Sequence, residues 1–352
     1  MSIPASTNAR PVSDGRIVIH PIRWVVLLNR ALVSRVSACA HLLLAATVPA
    51  LHAADYPLRS IRLIVPFAPG GGSDLMGRMI AQKLTEATSQ TVIVDNRPGA
   101  SGMIGAAMVA TAAPDGYTIV IIPAEHAINP SLYRKVPYDP LKDFAPITQA
   151  TSYSGVLVVH PSMPVKTVKE LITLAKARPG QIAYASSGIG GAPHLSAEVF
   201  QTMAGVKLIH VPYKGTGQAL GDLLGGQIQV MFANPLPITP HVRAGRLRAL
   251  AVASRTRSVS LPELPTIDEA ALPGFETSGW FGFLAPAATP ARIVDFLYEK
   301  IAAALSLPDV KDRLLAQGHT VVGSKPDEFA RHIAQEVVKW RKVVRDSGAK
   351  AE

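Results

Sequence analysis

Short apolar runs alternate with longer stretches of helical periodicity along most of this chain. Strand-like runs of aliphatic and β-branched residues fall at 61–66, 91–94, 118–122, 155–160, 182–185, 207–211, 230–232, 248–253 and 280–284. Helical patterns fall between them at 74–88, 103–112, 167–177, 195–204 and 218–224, and three further helices are predicted within 290–347. This alternation predicts an α/β protein with largely parallel sheets.

Two long connections interrupt the pattern. Segments 138–154 and 254–278 are both long, and the second is rich in proline and shows little periodicity. They are natural places for the chain to pass from one lobe to another and to return. A length of 352 residues also favours two domains. We therefore predict a discontinuous first lobe, 55–154 plus 278–352, and an inserted second lobe, 155–277.

The first 54 residues differ in composition from the rest of the chain. They carry five arginines against one acid, Asp14, and an apolar run at 36–51 ends near the small residues Ala53 and Ala54. This order predicts a secretory signal peptide, 1–54, cleaved near Ala53 or Ala54, with the mature protein in the periplasm. The apolar run is shorter than the roughly 20 residues that a membrane-spanning helix needs.

The single cysteine, Cys39, lies inside this predicted signal, in a tetrapeptide that loosely resembles a lipoprotein attachment box. Arg30 and Arg35 interrupt the apolar stretch that should precede such a box, so cleavage without lipidation is the favoured interpretation. A start codon downstream of Met1 would shorten the unusually long basic region. The mature chain then has no cysteine, which excludes thiol catalysis and cysteine-based metal sites.

Composition and charge exclude further classes of protein. The chain is 48% hydrophobic and 17% charged, as ordinary globular proteins are. Its net charge of +10 falls to about +6 without the first 54 residues, and the remaining bases are scattered. Without a platform of aromatic and basic residues, nucleic-acid binding is not indicated. The mild positive charge would either steer an anionic small molecule inward or serve solubility alone.

Two glycine-rich turns carry the strongest chemical signal. In 61–80 an apolar strand leads into the glycine turn 70–72 and then into a helix. In 181–200 the same order returns, with the turn at 186–191. Free backbone N–H groups, the positive end of the helix dipole and close main-chain approach all favour a bound anion at such turns. The two sockets predict one ligand held between two lobes.

The side chains of these turns narrow the class of ligand. A P-loop needs a lysine after its last glycine, but a serine and Asp74 follow here, and GxGxxG is absent, so no nucleotide cofactor is expected. Asp74 is equally a helix N-cap or a ligand contact. Ser186 and Ser187 offer uncharged donors that suit a carboxylate. His194 either donates to the ligand or caps its own turn.

Other candidate residues lie near further strand ends. Tyr213 and Lys214 belong to a third strand-turn-helix unit at 211–217, where Tyr213 would wall a pocket and Lys214 would either supply a cation or, as most lysines do, lie exposed. Glu125 follows the third strand, at the edge where open α/β sheets bind ligands. Trp280 and Phe281 are expected in a core or at a hinge. The absence of GxSxG, of HExxH and of clustered histidines and carboxylates favours binding over catalysis and predicts no metal.

Ordered motifs along the mature chain resemble one family. They are YP at 56–57, PFAPGG at 66–71, NRPGA at 96–100, APDGY at 113–117, NPSLY at 129–133, YAS at 184–186, HVPYKG at 210–215, LLGG at 223–226, LRALAV at 247–252 and WFG at 280–282. Over nearly its whole mature length the chain resembles the periplasmic solute-binding receptors of tripartite tricarboxylate transporters, also called Bug proteins. The resemblance implies a type II periplasmic-binding fold, in which two α/β lobes joined by two crossovers close on a small ligand.

The resemblance also implies a site. Members of the family hold a carboxylate between the turn after the first strand and the corresponding turn of the second lobe, here 67–74 and 186–194. The expected ligand-binding residues are Phe67, Ala68, Gly70, Gly71, Gly72, Ser73, Asp74, Glu125, Ser186, Ser187, Gly188, Gly190, Gly191, His194, Tyr213, Lys214 and Ala233. Many relatives carry Asp at the position of Ala233, so an amino-acid ligand is disfavoured here.

The implied function is the capture of a small organic acid and its delivery to the membrane permease subunits of a tripartite transporter. The receptor is expected to act as a monomer, without a cofactor and without catalysis. Two alternatives remain. One is a sensor of the same fold that presents its closed form to a membrane kinase, and the other is an enzyme that acts on a carboxylate or an ester.

Overall fold

The computed structural model describes residues 56–347. The predicted signal peptide, with Cys39 and the cleavage site at Ala53 or Ala54, lies outside these residues. The described part of the chain contains eleven strands, β1 (Ile61–Val65), β2 (Val92–Asn96), β3 (Thr118–Pro123), β4 (Phe144–Ser154), β5 (Val156–Val159), β6 (Ala183–Ser186), β7 (Ile209–Pro212), β8 (Val230–Ala233), β9 (Arg248–Val252), β10 (Ser278–Pro286) and β11 (His319–Val321).

Helices follow most of these strands. Within residues 56–347 they are α1 (Gly72–Thr88), α2 (Met103–Ala110), α3 (Glu125–Leu132), α4 (Val168–Ala177), α5 (Ala192–Ala204), α6 (Thr216–Leu224), α7 (Pro235–Arg243), α8 (Ile267–Ala270), α9 (Ala291–Ser306), α10 (Pro308–Ala316) and α11 (Pro326–Ser347). None of these helices is long and apolar enough to cross a membrane.

The first sheet has the strand order β11-β4-β10-β3-β1-β2. Strand β1 pairs in parallel with β2 and β3, as the alternating pattern predicts. Strand β10 is antiparallel to both β3 and β4, and β11 is antiparallel to β4. The expectation of largely parallel pairing is therefore wrong for this half of the sheet, because these strands are not joined to their neighbours by the strand-helix-strand crossovers that parallel pairing requires.

The second sheet has the order β7-β6-β8-β5-β9. Strand β6 pairs in parallel with β7 and β8, whereas β5 is antiparallel to β8 and β9. Only Gly155 separates β4 of the first sheet from β5 of the second, and the chain returns between β9 and β10. Each sheet with its helices is called a lobe below. The lobe boundaries at 154/155 and 277/278 stay a prediction.

Each lobe buries its own apolar side chains. In the first lobe, residues of β3 and α3 pack with Trp280, Phe329 and Trp340, and the Trp280 indole N–H donates to buried Glu336. Trp280 therefore lies in a core, as expected. In the second lobe, Phe200, Phe232 and their neighbours fill the space between the sheet and α4, α5 and α8. The strands and helices of these cores flank the five turns after β1, β3, β6, β7 and β8, which all lead into helices.

Candidate ligand-binding site

A small cavity lies where the two lobes meet. Its volume is about 30 Å³, enough for only a few water molecules, so an organic acid fits only when the lobes stand slightly farther apart than they do here. It is lined from the first lobe by Phe67, Gly71, Gly72, Ser73, Pro123, Glu125, Tyr153 and Phe281, and from the second by Ser187, Pro193, Thr216 and Asn234. The lobes are therefore closed upon each other, and a ligand needs a wider cleft to enter.

The first glycine turn is held in shape by Asp74. Its buried carboxylate accepts hydrogen bonds from Gly70 N (3.0 Å), Arg78 Nε (3.1 Å) and Asn96 Nδ2 (3.0 Å). Burial opposes ionisation, but these hydrogen bonds from Arg78, Gly70 and Asn96 outweigh it and lower the pKa of Asp74. The N-cap of α1 is Gly71, so the N-cap role considered for Asp74 is wrong; Asp74 is the third residue of α1, and its side chain bonds back to Gly70 N.

The second turn is held by Ser186 and His194. Ser186 Oγ lies 2.7 Å from His210 Nε2 and donates to Gly188 O. His194 Nδ1 accepts from Gly190 N at 3.0 Å, and burial lowers the pKa of His194, so the ring is neutral. His194 thus caps its own turn. Both side chains are buried, and neither lines the cavity.

Glu125 reaches from the first lobe into the second turn. Its Oε1 lies 3.3 Å from Ala192 N and 3.4 Å from Ser187 Oγ, which both donate to it. The carboxyl group thereby occupies the N-terminus of α5. Its Oε2 has no hydrogen-bond partner among the described residues, although Glu125 is only 5% exposed. Burial raises the pKa of Glu125, against the hydrogen bonds that it accepts.

Asn234 presents a free donor to the same cavity. Its Oδ1 accepts from Leu236 N at 2.8 Å, where it caps α7, and lies 3.1 Å from His319 Nε2. Burial lowers the pKa of His319 to about 3, so the ring is neutral and must donate through Nε2. These contacts fix the orientation of the amide, so that its NH2 group points away from Leu236 and His319. Nδ2 has no hydrogen-bond partner in the described part of the chain. An asparagine before a proline at a strand end is an N-cap signal, and it could have been recognised from the sequence.

The third turn closes the cleft by main-chain contact. Ala68 N donates to Lys214 O at 3.1 Å, joining the first turn to the turn after β7. A Cβ at Gly217 would collide with Pro69 O, so the two backbones approach closely there. Tyr213 donates its hydroxyl proton to Asp222 within its own lobe. The first glycine turn therefore faces the third turn as well as the second.

A larger cavity of about 240 Å³ lies beside the small one. Phe67 and Ser187 line both, and Lys214 is the only side chain with a formal charge that lines the larger one. Two hydroxyl groups of the first lobe, on Ser101 and Tyr133, donate to Ile189 O of the second lobe, the Tyr133 bond being 2.8 Å. These bonds hold the cleft closed on this side.

The predicted site residues fall into four groups. Those that line the small cavity are Phe67, Gly71, Gly72, Ser73, Glu125 and Ser187; Gly188, Tyr213 and Lys214 line the larger one, and Ala233 lines a third, of about 20 Å³, beside Asn234. Ala68, Gly70, Asp74, Ser186, Gly190, Gly191 and His194 line none of these three cavities and shape the turns instead. Pro123, Tyr153, Pro193, Thr216, Asn234 and Phe281 were not predicted, and Phe281 lines the cavity in addition to packing in the core.

No group of three or more histidine, cysteine or acidic side chains is arranged to hold a metal ion within residues 56–347. The only ionisable side chains that line the small cavity are Glu125 and Tyr153. The site thus offers backbone N–H groups, the Asn234 amide, hydroxyl groups and one carboxyl group, which together suit hydrogen bonding to a small polar ligand.

Comparisons with known proteins identify the family. Residues 76–349 match the model of the tripartite tricarboxylate transporter family receptor. The chain is 40% identical to Protein BugT of Bordetella pertussis over 297 residues, which cover 84% of this chain and 91% of that protein.

Solved structures agree in fold. The R. palustris protein Rpa4515 with adipate is 39% identical, with a TM-score of 0.82, over 84% of this chain and 99% of that one. MatC from Rhodopseudomonas palustris with bound malate is 32% identical, with a TM-score of 0.79, over 82% and 100%. The periplasmic binding protein BugD is 35% identical, with a TM-score of 0.82, over 84% and 100%. The fold is that of the two-lobed periplasmic binding proteins, as predicted, and the chain belongs to the tripartite tricarboxylate transporter receptors, the Bug proteins.

Proposed function

We propose that this protein captures a small organic carboxylate in the periplasm and delivers it to the permease subunits of a tripartite transporter. The observation that carries the proposal is the convergence of three helix N-termini on one cavity. The first residues of α1, α5 and α6 line it through Gly72, Pro193 and Thr216. All three contribute a partial positive charge, and α1 and α6 add first-turn N–H groups without intrahelical partners, whereas in α5 the Ala192 N–H already donates to Glu125 and Pro193 has no N–H.

Two of the helices belong to the second lobe and one to the first. A carboxylate that contacts all three therefore gains its full interaction only when the lobes are closed. Binding then shifts the population toward the closed form, which the permease would recognise. Adipate and malate, bound by two relatives, carry carboxylates of the kind proposed here. In this proposal, the protein binds its ligand without turnover and is exported with cleavage near Ala53 or Ala54.

Thermal unfolding of the mature chain against mono-, di- and tricarboxylates, aromatic acids and amino acids tests the proposal. The protein is first unfolded and refolded to remove any copurified ligand. A ligand at a thousand times its Kd should add about 4 kcal/mol to the free energy of unfolding, and hence raise the Tm by several degrees. A selective shift with one class of acid is expected. A folded protein whose Tm responds to no acid would contradict the proposal.

The Tyr133 hydroxyl is expected to contribute to affinity without touching the cavity of about 30 Å³. It donates to Ile189 O across the closed cleft. The bond forms only when the lobes are closed, so its removal by Tyr133→Phe destabilises the closed form relative to the open form. Because one neutral hydrogen bond contributes roughly 0.5 to 1.5 kcal/mol, the Kd should rise about two- to tenfold. The measurement is titration calorimetry with the acid identified by the unfolding panel.

Tyr117→Phe is the matched control for this substitution. The Tyr117 hydroxyl accepts from Leu58 N within the first lobe, and Tyr117 directly precedes β3, at the opposite end of this strand from the cavity residue Pro123. The Kd of this variant should equal that of the wild type. Equal affinities of the Tyr133 and Tyr117 variants would show that the bond to Ile189 does not contribute to closure.

A further inference from the structure

We propose that Glu125 takes up one proton when the carboxylate ligand binds, so that its neutral carboxyl group donates a hydrogen bond to the ligand. This inference rests on the proposed function and names the group that couples the site to pH. It makes Glu125 a specificity-determining residue: it accepts ligands that present a hydrogen-bond acceptor and disfavours ligands that present an ammonium group.

The geometry assigns the proton to one oxygen. Oε1 of Glu125 already accepts from Ala192 N and Ser187 Oγ, so this oxygen is occupied as an acceptor. Oε2 is buried and has no partner in the described part of the chain, and the side chain lines the cavity. A proton on Oε2 converts this unsatisfied acceptor into a donor without disturbing either contact of Oε1.

Nearby titratable groups supply no positive charge to offset an ionised Glu125. On α5, burial lowers the pKa of His194, and its Nδ1 accepts from Gly190 N. On α3 itself, burial lowers the pKa of His126 to about 4, and its ring stacks on Tyr138. On β4, burial and the charge of Glu125 both raise the pKa of Tyr153, despite the nearby Asn234 side chain.

The remaining elements that line the small cavity add no cation either, since Lys214 lines the larger cavity beside it. On α1, the side chain of Asp74 is acidic and is paired with Arg78, whose own side chain is about half exposed. On β11, behind Asn234, burial keeps His319 neutral. None of the side chains that the other elements place in the cavity ionises, including Pro123 of β3, Phe281 of β10, Thr216 of α6 and Asn234, the N-cap of α7. A ligand carboxylate therefore brings a second negative charge beside Glu125, and like charges at one site raise the pKa of one of them.

The second unsatisfied group favours an acceptor-rich ligand. Asn234 Nδ2 can only donate, and its orientation is fixed by Leu236 N and His319. With Glu125 protonated, the two unpartnered groups of the cavity, Glu125 Oε2 and Asn234 Nδ2, are both hydrogen-bond donors. The two oxygens of a ligand carboxylate accept hydrogen bonds, so each can pair with one of these donors. With Glu125 ionised, the cavity would instead offer one donor and one acceptor, and it would fit an ammonium or hydroxyl group next to a carbonyl group.

Titration calorimetry of the mature protein with adipate, malate and aspartate tests this inference. Each titration is run at about pH 6 and about pH 8, where the carboxyl groups of the probes stay ionised, and in two buffers of different ionisation enthalpy. The dependence of the heat on the buffer counts the protons that are taken up. Uptake of up to one proton is expected, with a Kd that rises by up to tenfold per pH unit, because the more protonated state binds better.

Two variants complete the experiment. Glu125→Gln keeps an Oε1 acceptor and supplies a permanent donor, so it should bind with no proton uptake and with a Kd independent of pH. Glu336→Gln is the matched control, because Glu336 is also buried but bonds to Trp280, Trp340 and Lys339 in the first-lobe core. This variant should keep the proton uptake and the pH dependence of the wild type.

The outcomes separate this inference from the proposed function. Binding of an acid by the wild type without proton uptake would overturn the inference alone, and this result needs no variant to fold. A preference for aspartate over malate that Glu125→Gln abolishes would also overturn it, since it would show an ionised Glu125 paired with an ammonium group. Failure of the wild type to bind any acid at either pH would overturn the proposed function together with the inference.

Discussion

Replacing Gly72 with alanine should weaken ligand binding by roughly ten- to a hundredfold while leaving both lobes folded. A Cβ at Gly72 would lie 2.9 Å from Asn234 Cγ across the cleft and 3.0 Å from Phe281 Cζ. Asn234 cannot withdraw without losing its bonds to Leu236 and His319. Crowding of this kind costs about 1 to 3 kcal/mol, and it applies chiefly to the closed form because Asn234 belongs to the other lobe.

The open form is relieved of the contact with Asn234 but keeps the contact with Phe281, which belongs to the same lobe as Gly72. The Phe281 ring must shift by a few tenths of an ångström, while alanine at the first residue of α1 favours the helix more than glycine does, so the Tm without ligand should change by only a few degrees. The Kd is measured by calorimetry and the Tm by circular dichroism. Gly221→Ala is the control, because Gly221 lies on α6 with no atom within 4 Å of an added Cβ. Equal Kd values for both variants would argue against closure onto Asn234.

A smaller effect is expected at Gly71. There a Cβ would lie 3.5 Å from the Cβ of Thr216, which is an ordinary contact distance. The closed cleft thus has room for a methyl group at Gly71 but not at Gly72. The Gly71→Ala variant should therefore bind the ligand more tightly than the Gly72→Ala variant.

Replacing Asp74 with asparagine should lower stability by roughly 1.5 to 3 kcal/mol, with a fall in Tm of several degrees. The substitution removes the charge from a buried group that accepts from Gly70 N, Arg78 and Asn96. These contacts lower the pKa of Asp74 below its value in the unfolded chain, so its contribution is fully present above about pH 4 and is lost as the pH falls through the folded-state pKa.

The pH dependence distinguishes this role from mere packing. The difference in Tm between wild type and Asp74→Asn should be largest near about pH 7 and should shrink below about pH 4. Asp327→Asn serves as the control, since Asp327 pairs with Arg331 on the surface of α11 and both side chains are about two-thirds exposed. Its effect should stay within about 0.5 kcal/mol. A Tm difference at Asp74 that does not change with pH would refute the electrostatic explanation.

The sequence predicts those parts of the fold whose signals are local. The strand β1, its glycine turn and helix α1 follow one another within 61–88, and their pattern suffices to identify them. Strand β4 was instead assigned to a connection, because its polar residues hide the alternation and its pairing with β10 contains register shifts beside Phe281 and Phe283. Helix α7 was missed because Pro235, Pro237 and Pro240 suggest a loop.

The candidate site also has parts that local sequence patterns predict and parts that they do not. The turns were found because glycine, serine and a following helix lie close together in sequence. The contact of Glu125 with Ala192 joins residues 67 positions apart, and no local pattern reveals it. Asn234 carried a recognisable cap signal, but its free NH2 group depends on His319, 85 positions later in the chain. The orientation of the side chains in the cleft depends on contacts that form when the lobes close. It therefore cannot be predicted from the local sequence.

The bond from Ala68 N to Lys214 O joins the lobes through the main chain alone, beside the close approach of Gly217 to Pro69. A backbone contact does not depend on which side chains stand at positions 68 and 214. Exchange of the cavity side chains therefore leaves this contact between the lobes in place, while the bonds of Glu125 and Asn234 across the cleft change with the residue that stands there. One part of the closing interaction is thus independent of the side chains that line the cavity, and another part is shared with them.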